Sequence, residues 1–415
     1  MSRPPPAKPE AGAQPRAAEL SPEPGTPLYV HVPFCVTKCT YCDFYSLAAE
    51  GQDLPRTLDA LLREAEGRAP LRPRTVFLGG GTPSFYSAAE LARLLDGLER
   101  LTAFRTSALE VTCECNPESL DLEKARALRE LGVDRLSIGF QSLDPRILSL
   151  FGRVHDARTS FAAFEAARRA GFERVSIDLI YGAPGQELER WGSELAQVLA
   201  LRPDHVSAYQ LTYEEGTPLA AQLHSGAFER LSEDLELAFF ERTHGQLGEA
   251  GYGAYEVSNF ALDGQQCLHN VNYWSNGPYL GIGPSAVSKL GHTRFGNPRS
   301  IMPWRQAALA GRFETAWEET PPAPVRLGET WWLGLRTRAG VEPLEALRIA
   351  DFSGPDPTAS LRQTLSEQGF IEDSAGRQRL TRRGWPVADA IARRMLQACT
   401  KDGSALPRGS GVARE

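Results

Sequence analysis

The sequence lacks any apolar run approaching the roughly 20 residues that a membrane-spanning helix needs, so no transmembrane segment is expected. It also lacks an excess of basic charge. Its 45 Lys and Arg stand against 52 Asp and Glu, for a formal net charge of -7. Nucleic-acid binders usually carry a basic footprint, so no nucleic-acid partner is expected. The N-terminus has no apolar core of a signal peptide, which makes the cytoplasm the expected compartment. Cysteine is sparse and odd in number, seven in 415 residues. In a reducing compartment that argues against a disulfide framework, and the crowding of three of the seven argues for metal. What remains, 42% hydrophobic and 23% charged residues, is an ordinary globular composition.

Residues 1–26 are rich in Pro, Ala and Glu without hydrophobic periodicity, and are expected to be disordered. From Pro27 onward short apolar runs alternate with stretches of helical spacing. Strands are expected at Pro27–Pro33, Thr75–Leu78, Ala108–Cys113, Arg135–Ile138, Val175–Ile180 and His205–Gln210, with helices between them. Six strands in such alternation imply a parallel sheet with right-handed crossovers. Six are too few for the eight of a closed barrel. The expected fold class is therefore α/β, an open partial (β/α)6 barrel over 27–255. Residues 256–325, rich in aromatics, Gly and Asn without a period, are expected to connect it to a small C-terminal winged-helix-like domain over 326–400. A disordered tail is expected over 401–415.

The chemistry concentrates in Cys35, Cys39 and Cys42, spaced C-x3-C-x2-C directly after the first strand. Three thiolates on one loop cannot complete a tetrahedral zinc site without a fourth ligand. They can hold three corners of a cubane cluster and leave one iron open for a chelating substrate. Zinc with a distant fourth ligand, such as Cys267 or a His, is the alternative, and three unrelated core cysteines the plainer one. Cys113 and Cys115 read as small buried side chains, and Cys399 has no assigned role.

This loop, with Tyr41 before its last cysteine, resembles that of the radical S-adenosylmethionine (SAM) superfamily. Further matches follow in order: Gly79-Gly-Gly-Thr-Pro-Ser84, Glu114 before Asn116-Pro117, Ser137-Ile-Gly-Phe-Gln141, Gly152-Arg153 and Ile177-Asp-Leu-Ile-Tyr-Gly-Ala-Pro184. Together they resemble the oxygen-independent coproporphyrinogen oxidase branch. The resemblance implies a [4Fe-4S] cluster on Cys35, Cys39 and Cys42. It implies SAM held by Tyr29, Tyr41, Gly80, Gly81, Thr82, Glu114, Gln141, Arg153 and Asp178. Each has a plainer alternative: a tight turn for the glycines, a solvated or paired acid for Glu114 and Asp178, a surface ion pair for Arg153, a helix cap for Gln141, core packing for Tyr29.

A second segment, His269-Asn-Val-Asn-Tyr-Trp274, is similar to the signature of the haem chaperone (HemW) branch, and without that context reads as an aromatic packing corner. His269, Tyr273 and nearby Cys267 are all side chains that can ligate haem iron. The oxidases typically carry a fourth cysteine two residues after the last of the triplet, where this chain has Phe44. The resemblance thus implies a haem chaperone that binds cluster, SAM and haem, with His269 as the haem ligand. Its partners would be haem and haem-accepting apoproteins such as respiratory enzymes, and a homodimer stays open. The alternative is the radical SAM oxidase, which decarboxylates coproporphyrinogen.

Overall fold

Alternation within each strand builds the barrel. In Glu110–Cys115, Arg135–Gln141, Arg174–Tyr181 and His205–Gln210, one face carries Val, Leu, Ile, Cys and Phe while the other carries Glu, Thr, Arg, Ser, Asp and His. Successive side chains point to opposite faces of a strand. The apolar face packs under the helices in one continuous core that includes Val111, Leu136, Ile138, Val175, Ile177 and Val206. The polar face is left to line the lumen.

A computed structural model describes residues 20–400. The central sheet has six parallel strands in sequence: β1 (Leu28–Val32), β2 (Thr75–Gly80), β3 (Glu110–Cys115), β4 (Arg135–Gln141), β5 (Arg174–Tyr181) and β6 (His205–Gln210). These are the six expected strands. The sheet does not end with them. After β7 (Gly253–Ala254), β8 (Asn259–Ala261) adds antiparallel to β6, and β9 (Leu280–Ile282) adds parallel to β1. The order is β9-β1-β2-β3-β4-β5-β6-β8-β7, nine strands and open between its two edges.

Two expectations about boundaries need correction. Residues 256–325 are more than a connection, because β8 joins the barrel sheet beside β6 and β9 forms its edge beside β1, while Val287–Leu290, Thr293–Gly296 and Trp317–Glu319 form a separate three-stranded sheet. The shortness of β8 and β9, three residues each, left no periodic signal in the sequence. The expected disorder of 1–26 and 401–415 falls mostly outside the described residues. Within them, Gly25 N donates to Leu71 O at 3.1 Å and Leu20 packs on the main core, so the ordered chain begins before Pro27.

The C-terminal unit has a core of its own, with Leu327, Trp331, Leu365, Ile391 and Met395 at its centre. Helices Ala323–Leu335, Pro343–Ile349 and Ala359–Glu367 precede a hairpin of Ile371–Ser374 and Arg377–Leu380, then helix Ala388–Cys399. It docks on the end of the barrel where the parallel strands begin, through contacts such as Asn276 Nδ2 to Thr330 Oγ1 at 3.1 Å.

Candidate functional site

The cysteine loop is pinned at both ends. Phe34–Cys35 pairs with Leu47–Ala48, with Leu47 N on Pro33 O at 2.8 Å and Ala49 N on Cys35 O at 2.9 Å. The loop therefore stands above the C-terminal ends of the strands, where parallel α/β sheets place their ligands. Around it runs a ring of side-chain contacts. Thr82 Oγ1 donates to Cys35 Sγ at 3.4 Å, and Asn116 Nδ2 donates to Thr82 Oγ1 at 3.0 Å. Arg153 closes the ring, with Nη2 on Asn116 Oδ1 at 2.8 Å and Nη1 on Cys39 Sγ at 3.4 Å. Tyr41 packs edge-on against Phe151 at 4.9 Å. Burial pushes the Cys35 thiol up and the Cys42 thiol up to about 11, each further disfavoured by the charge of Cys39.

The glycine run lies beside this ring. Gly80 has φ +102°, in the left-handed region that favours glycine. A Cβ there would lie on the His31 ring, and one on Gly81 would lie 2.6 Å from Phe34 O and 2.7 Å from Val32 O. Gly80 N donates to Glu114 Oε2 at 3.1 Å, so the bare backbone and the acid sit together. Gln141 follows a bulge in β4 at Gly139 and has φ +64°. The bulge turns its side chain back over Gly139, whose carbonyl also accepts from Arg153 Nη2 at 2.7 Å. Asp178, paired in register with Gly139, accepts from Ser207 at 2.7 Å, Ser137 at 2.8 Å and Ser176 at 3.1 Å. Burial pushes its carboxyl up, opposed by these serines and by Arg135. Tyr29 lies one step lower on β1, its hydroxyl 3.1 Å from His31 Nδ1.

The structure thus gathers Tyr41, Gly80, Gly81, Thr82, Glu114, Gln141, Arg153 and Asp178 at one mouth with the three cysteines. Two members of this mouth had no role in the sequence reading, although Asn116 stood in one of its motifs. Asn116 links Thr82 to Arg153, and its signal was its period-2 spacing from Glu114. His31 supports Gly80 and Tyr29, with Nε2 2.8 Å from Tyr45 O. Burial holds its imidazole down at about 4, hence neutral.

His269 lies at the other mouth. It sits on helix Leu268–Trp274, which closes the lumen where the strands start. Its Nδ1 is 2.7 Å from Thr75 Oγ1, the first residue of β2, and Nε2 is 2.9 Å from Tyr273 OH. The expectation that His269 presents a nitrogen to haem iron is therefore not met in this conformation: the side chain is 1% exposed and both ring nitrogens are engaged. Glu110 fixes the helix, accepting from Leu268 N at 2.9 Å and His269 N at 3.0 Å while pairing with Arg174 at 2.7 Å. Five strand steps from Thr75 to Gly80, at about 3.3 Å each, put the two mouths roughly 17 Å apart.

Known proteins place this arrangement. A family model for the radical SAM superfamily matches residues 29–195. The haem chaperone HemW of Bacillus subtilis is 33% identical over 362 residues, covering 86% of this chain and 95% of that protein. HemW of Mycobacterium tuberculosis is 36% identical over 91% of this chain and 97% of its own. The chain belongs to the HemW family. A mitochondrial member of the wider group, radical S-adenosyl methionine domain-containing protein 1 of Bos taurus, is 34% identical over 94% of this chain. Among solved structures, coproporphyrinogen III oxidase (HemN) of Escherichia coli shares the fold, with TM-score 0.76 over 90% of each chain at 24% identity.

Radical SAM membership implies a [4Fe-4S] cluster and SAM, and the residues fit both. Among the described residues no three His, Cys, Asp or Glu side chains converge as a single metal ion requires. A cubane spreads its thiolates over separate irons, which suits three cysteines strung along one loop. Arg153 Nε is buried with no partner, a donor left for an anionic group such as the SAM carboxylate. Gly80 tests the SAM side. Gly80→Val adds a side chain at a positive φ and against His31, and is expected to reduce SAM affinity at least tenfold in calorimetry on the reconstituted protein, about 1.4 kcal/mol. Unchanged affinity would remove the glycine run from the site.

Proposed function

We propose that the chain is a cytoplasmic haem chaperone of HemW type, binding a [4Fe-4S] cluster, SAM and haem and delivering haem to apoproteins such as respiratory enzymes. The observation that carries this reading is the 33–36% identity to HemW proteins across 95–97% of their length. No helix among the described residues is long and apolar enough to cross a membrane.

Cys35, Cys39 and Cys42 hold the cluster. Arg153 pairs with the SAM carboxylate, the Gly80–Gly81 backbone and Glu114 take its amine, and Asp178 and Gln141 take its hydroxyls. When bound, a cluster with one open iron supplies chelation of SAM and an electron for its cleavage. Haem lies at the opposite mouth. There the outer face of helix Leu268–Trp274, through Val271 and Trp274, lines a groove of about 530 Å³ together with Ala254, Tyr255, Asp263 and Arg338. That volume falls within the roughly 300–1,000 Å³ of small-molecule pockets. Arg336 stacks over Trp274 at 5.2 Å, fixing the indole beside the groove.

Haem titration of the reconstituted protein tests the function. Stable, stoichiometric haem after gel filtration is expected, with no protoporphyrinogen formed from coproporphyrinogen under reducing conditions with SAM. Product without haem retention would give the protein to the oxidases. Trp274→Ala should weaken haem retention through lost contact area. His269→Ala should destabilise the fold but leave the Soret maximum in place, because Thr75 and Tyr273 already engage the imidazole. A shifted Soret band would show that the ring reaches iron.

A further inference from the structure

Between the two mouths the lumen holds a file of polar groups that runs from helix Leu268–Trp274 to Asp178. On helix Leu268–Trp274, Asn270 Nδ2 donates to Tyr255 OH at 3.3 Å. Tyr255 OH lies 2.9 Å from His205 Nε2, and His205 Nδ1 lies 2.8 Å from Ser176 Oγ. Ser176 Oγ in turn donates to Asp178 Oδ1 at 3.1 Å. Counting protons sets the direction of every bond. A serine hydroxyl has one proton, and that of Ser176 goes to the carboxylate. Nδ1 of His205 must then carry the ring proton, which leaves Nε2 to accept from Tyr255. Burial, reinforced by Arg135 and Arg174, keeps this imidazole neutral. All four donors point from the haem-side helix toward Asp178.

Asp178 is the end that a ligand can disturb. A carboxylate offers about four lone-pair sites, and Ser137, Ser176 and Ser207 already take at least three. A ribose hydroxyl arriving at Asp178 takes the remaining site or displaces a serine, and the Ser176 bond is the longest of the three at 3.1 Å. Loss of the Ser176 bond leaves that hydroxyl proton without its acceptor, because His205 Nδ1 already carries a proton, and the file loses the carboxylate on which it ends. Aligned hydrogen bonds polarise one another in a low-dielectric interior, so a change at Asp178 is felt at Asn270.

We propose that Ser176 and His205 are positioning residues that couple the two mouths, so that SAM at Asp178 and haem against helix Leu268–Trp274 weaken each other. The proposal rests on the chaperone reading and gives it a release step: SAM binding loosens the haem seat. The test uses the full chain reconstituted with its cluster, under anaerobic conditions. SAM affinity is measured by calorimetry with and without haem, and haem affinity by absorbance with and without SAM. In the wild type each ligand should weaken the other by the same factor, roughly fivefold or more, since linkage is reciprocal. In Ser176→Ala and in His205→Asn that factor should fall to near one, while each ligand alone binds nearly as in the wild type. A merely structural role would instead change the single-ligand affinities and leave the factor. A wild-type factor of one, or mutual strengthening, overturns the coupling yet leaves the chaperone reading intact, because both ligands still bind. An unchanged factor in both variants overturns it as well. Failure of the wild type to bind haem brings down both.

Discussion

Replacing Cys35, Cys39 and Cys42 together with alanine should abolish the broad iron–sulfur absorption and nearly all bound iron, while Cys113→Ala and Cys399→Ala keep both. The three loop thiols stand at the upper mouth, two of them in contact with the ring of Thr82, Asn116 and Arg153. Cys113 instead lies in the apolar core between sheet and helices, and Cys399 in the core of the C-terminal unit. The loop should survive loss of the thiols, because backbone pairing of Phe34–Cys35 with Leu47–Ala48 holds it. Iron content, absorption and far-ultraviolet dichroism on the same sample separate cluster loss from unfolding. Full iron retention in the triple variant would sink the cluster assignment.

Glu110→Ala should cost about 3–5 kcal/mol of stability, the usual penalty for breaking a buried ion pair from one side. Glu110 is fully buried, pairs with Arg174, and accepts from the first amides of helix Leu268–Trp274, whose N-cap residue Cys267 supplies no side-chain cap. Removing it leaves the Arg174 guanidinium and buried Arg135 without this counter-charge and two backbone donors unmet. Chemical denaturation measures the loss, and a change under about 1 kcal/mol would show that the helix is held by other means. The same group predicts acid sensitivity. Burial opposes its charge, but Arg135, Arg174 and the helix amides prevail and hold its carboxyl below the ordinary range. A depressed carboxyl contributes stability that is present above its unfolded value, about 4.3. That contribution fades as pH falls through the folded value. Glu110→Gln should flatten this acid limb.

The upper mouth was legible because its residues lie in short local motifs. C-x3-C-x2-C, the Gly79–Gly81 run and Gly152-Arg153 each fit on one loop or turn; the first two fall at strand ends, which parallel sheets bring to one side, and Gly152-Arg153 in the turn after helix Pro145–Leu150, which follows β4. Asn116 and His31 were harder, since their importance lies in whom they touch across strands. The added strands β8 and β9 were not legible: three residues show no period, and only pairing with β6 and β1 makes them strands.

The sequence by itself determined the six-strand core, through alternation of apolar and polar residues, and the cluster loop, through spacing of its thiols. It also marked His269–Trp274 as a segment of interest. Only the tertiary structure decided what that segment does. Helical spacing put His269 and Tyr273 four residues apart, but nothing in the sequence showed that Thr75 and Glu110, some 194 and 159 positions earlier than His269, would take its ring and its amide. Those contacts turn the imidazole inward and leave Val271 and Trp274 for the groove. They arise because a parallel sheet brings the first residues of distant strands to one mouth, a neighbourhood set by strand register rather than by separation along the chain.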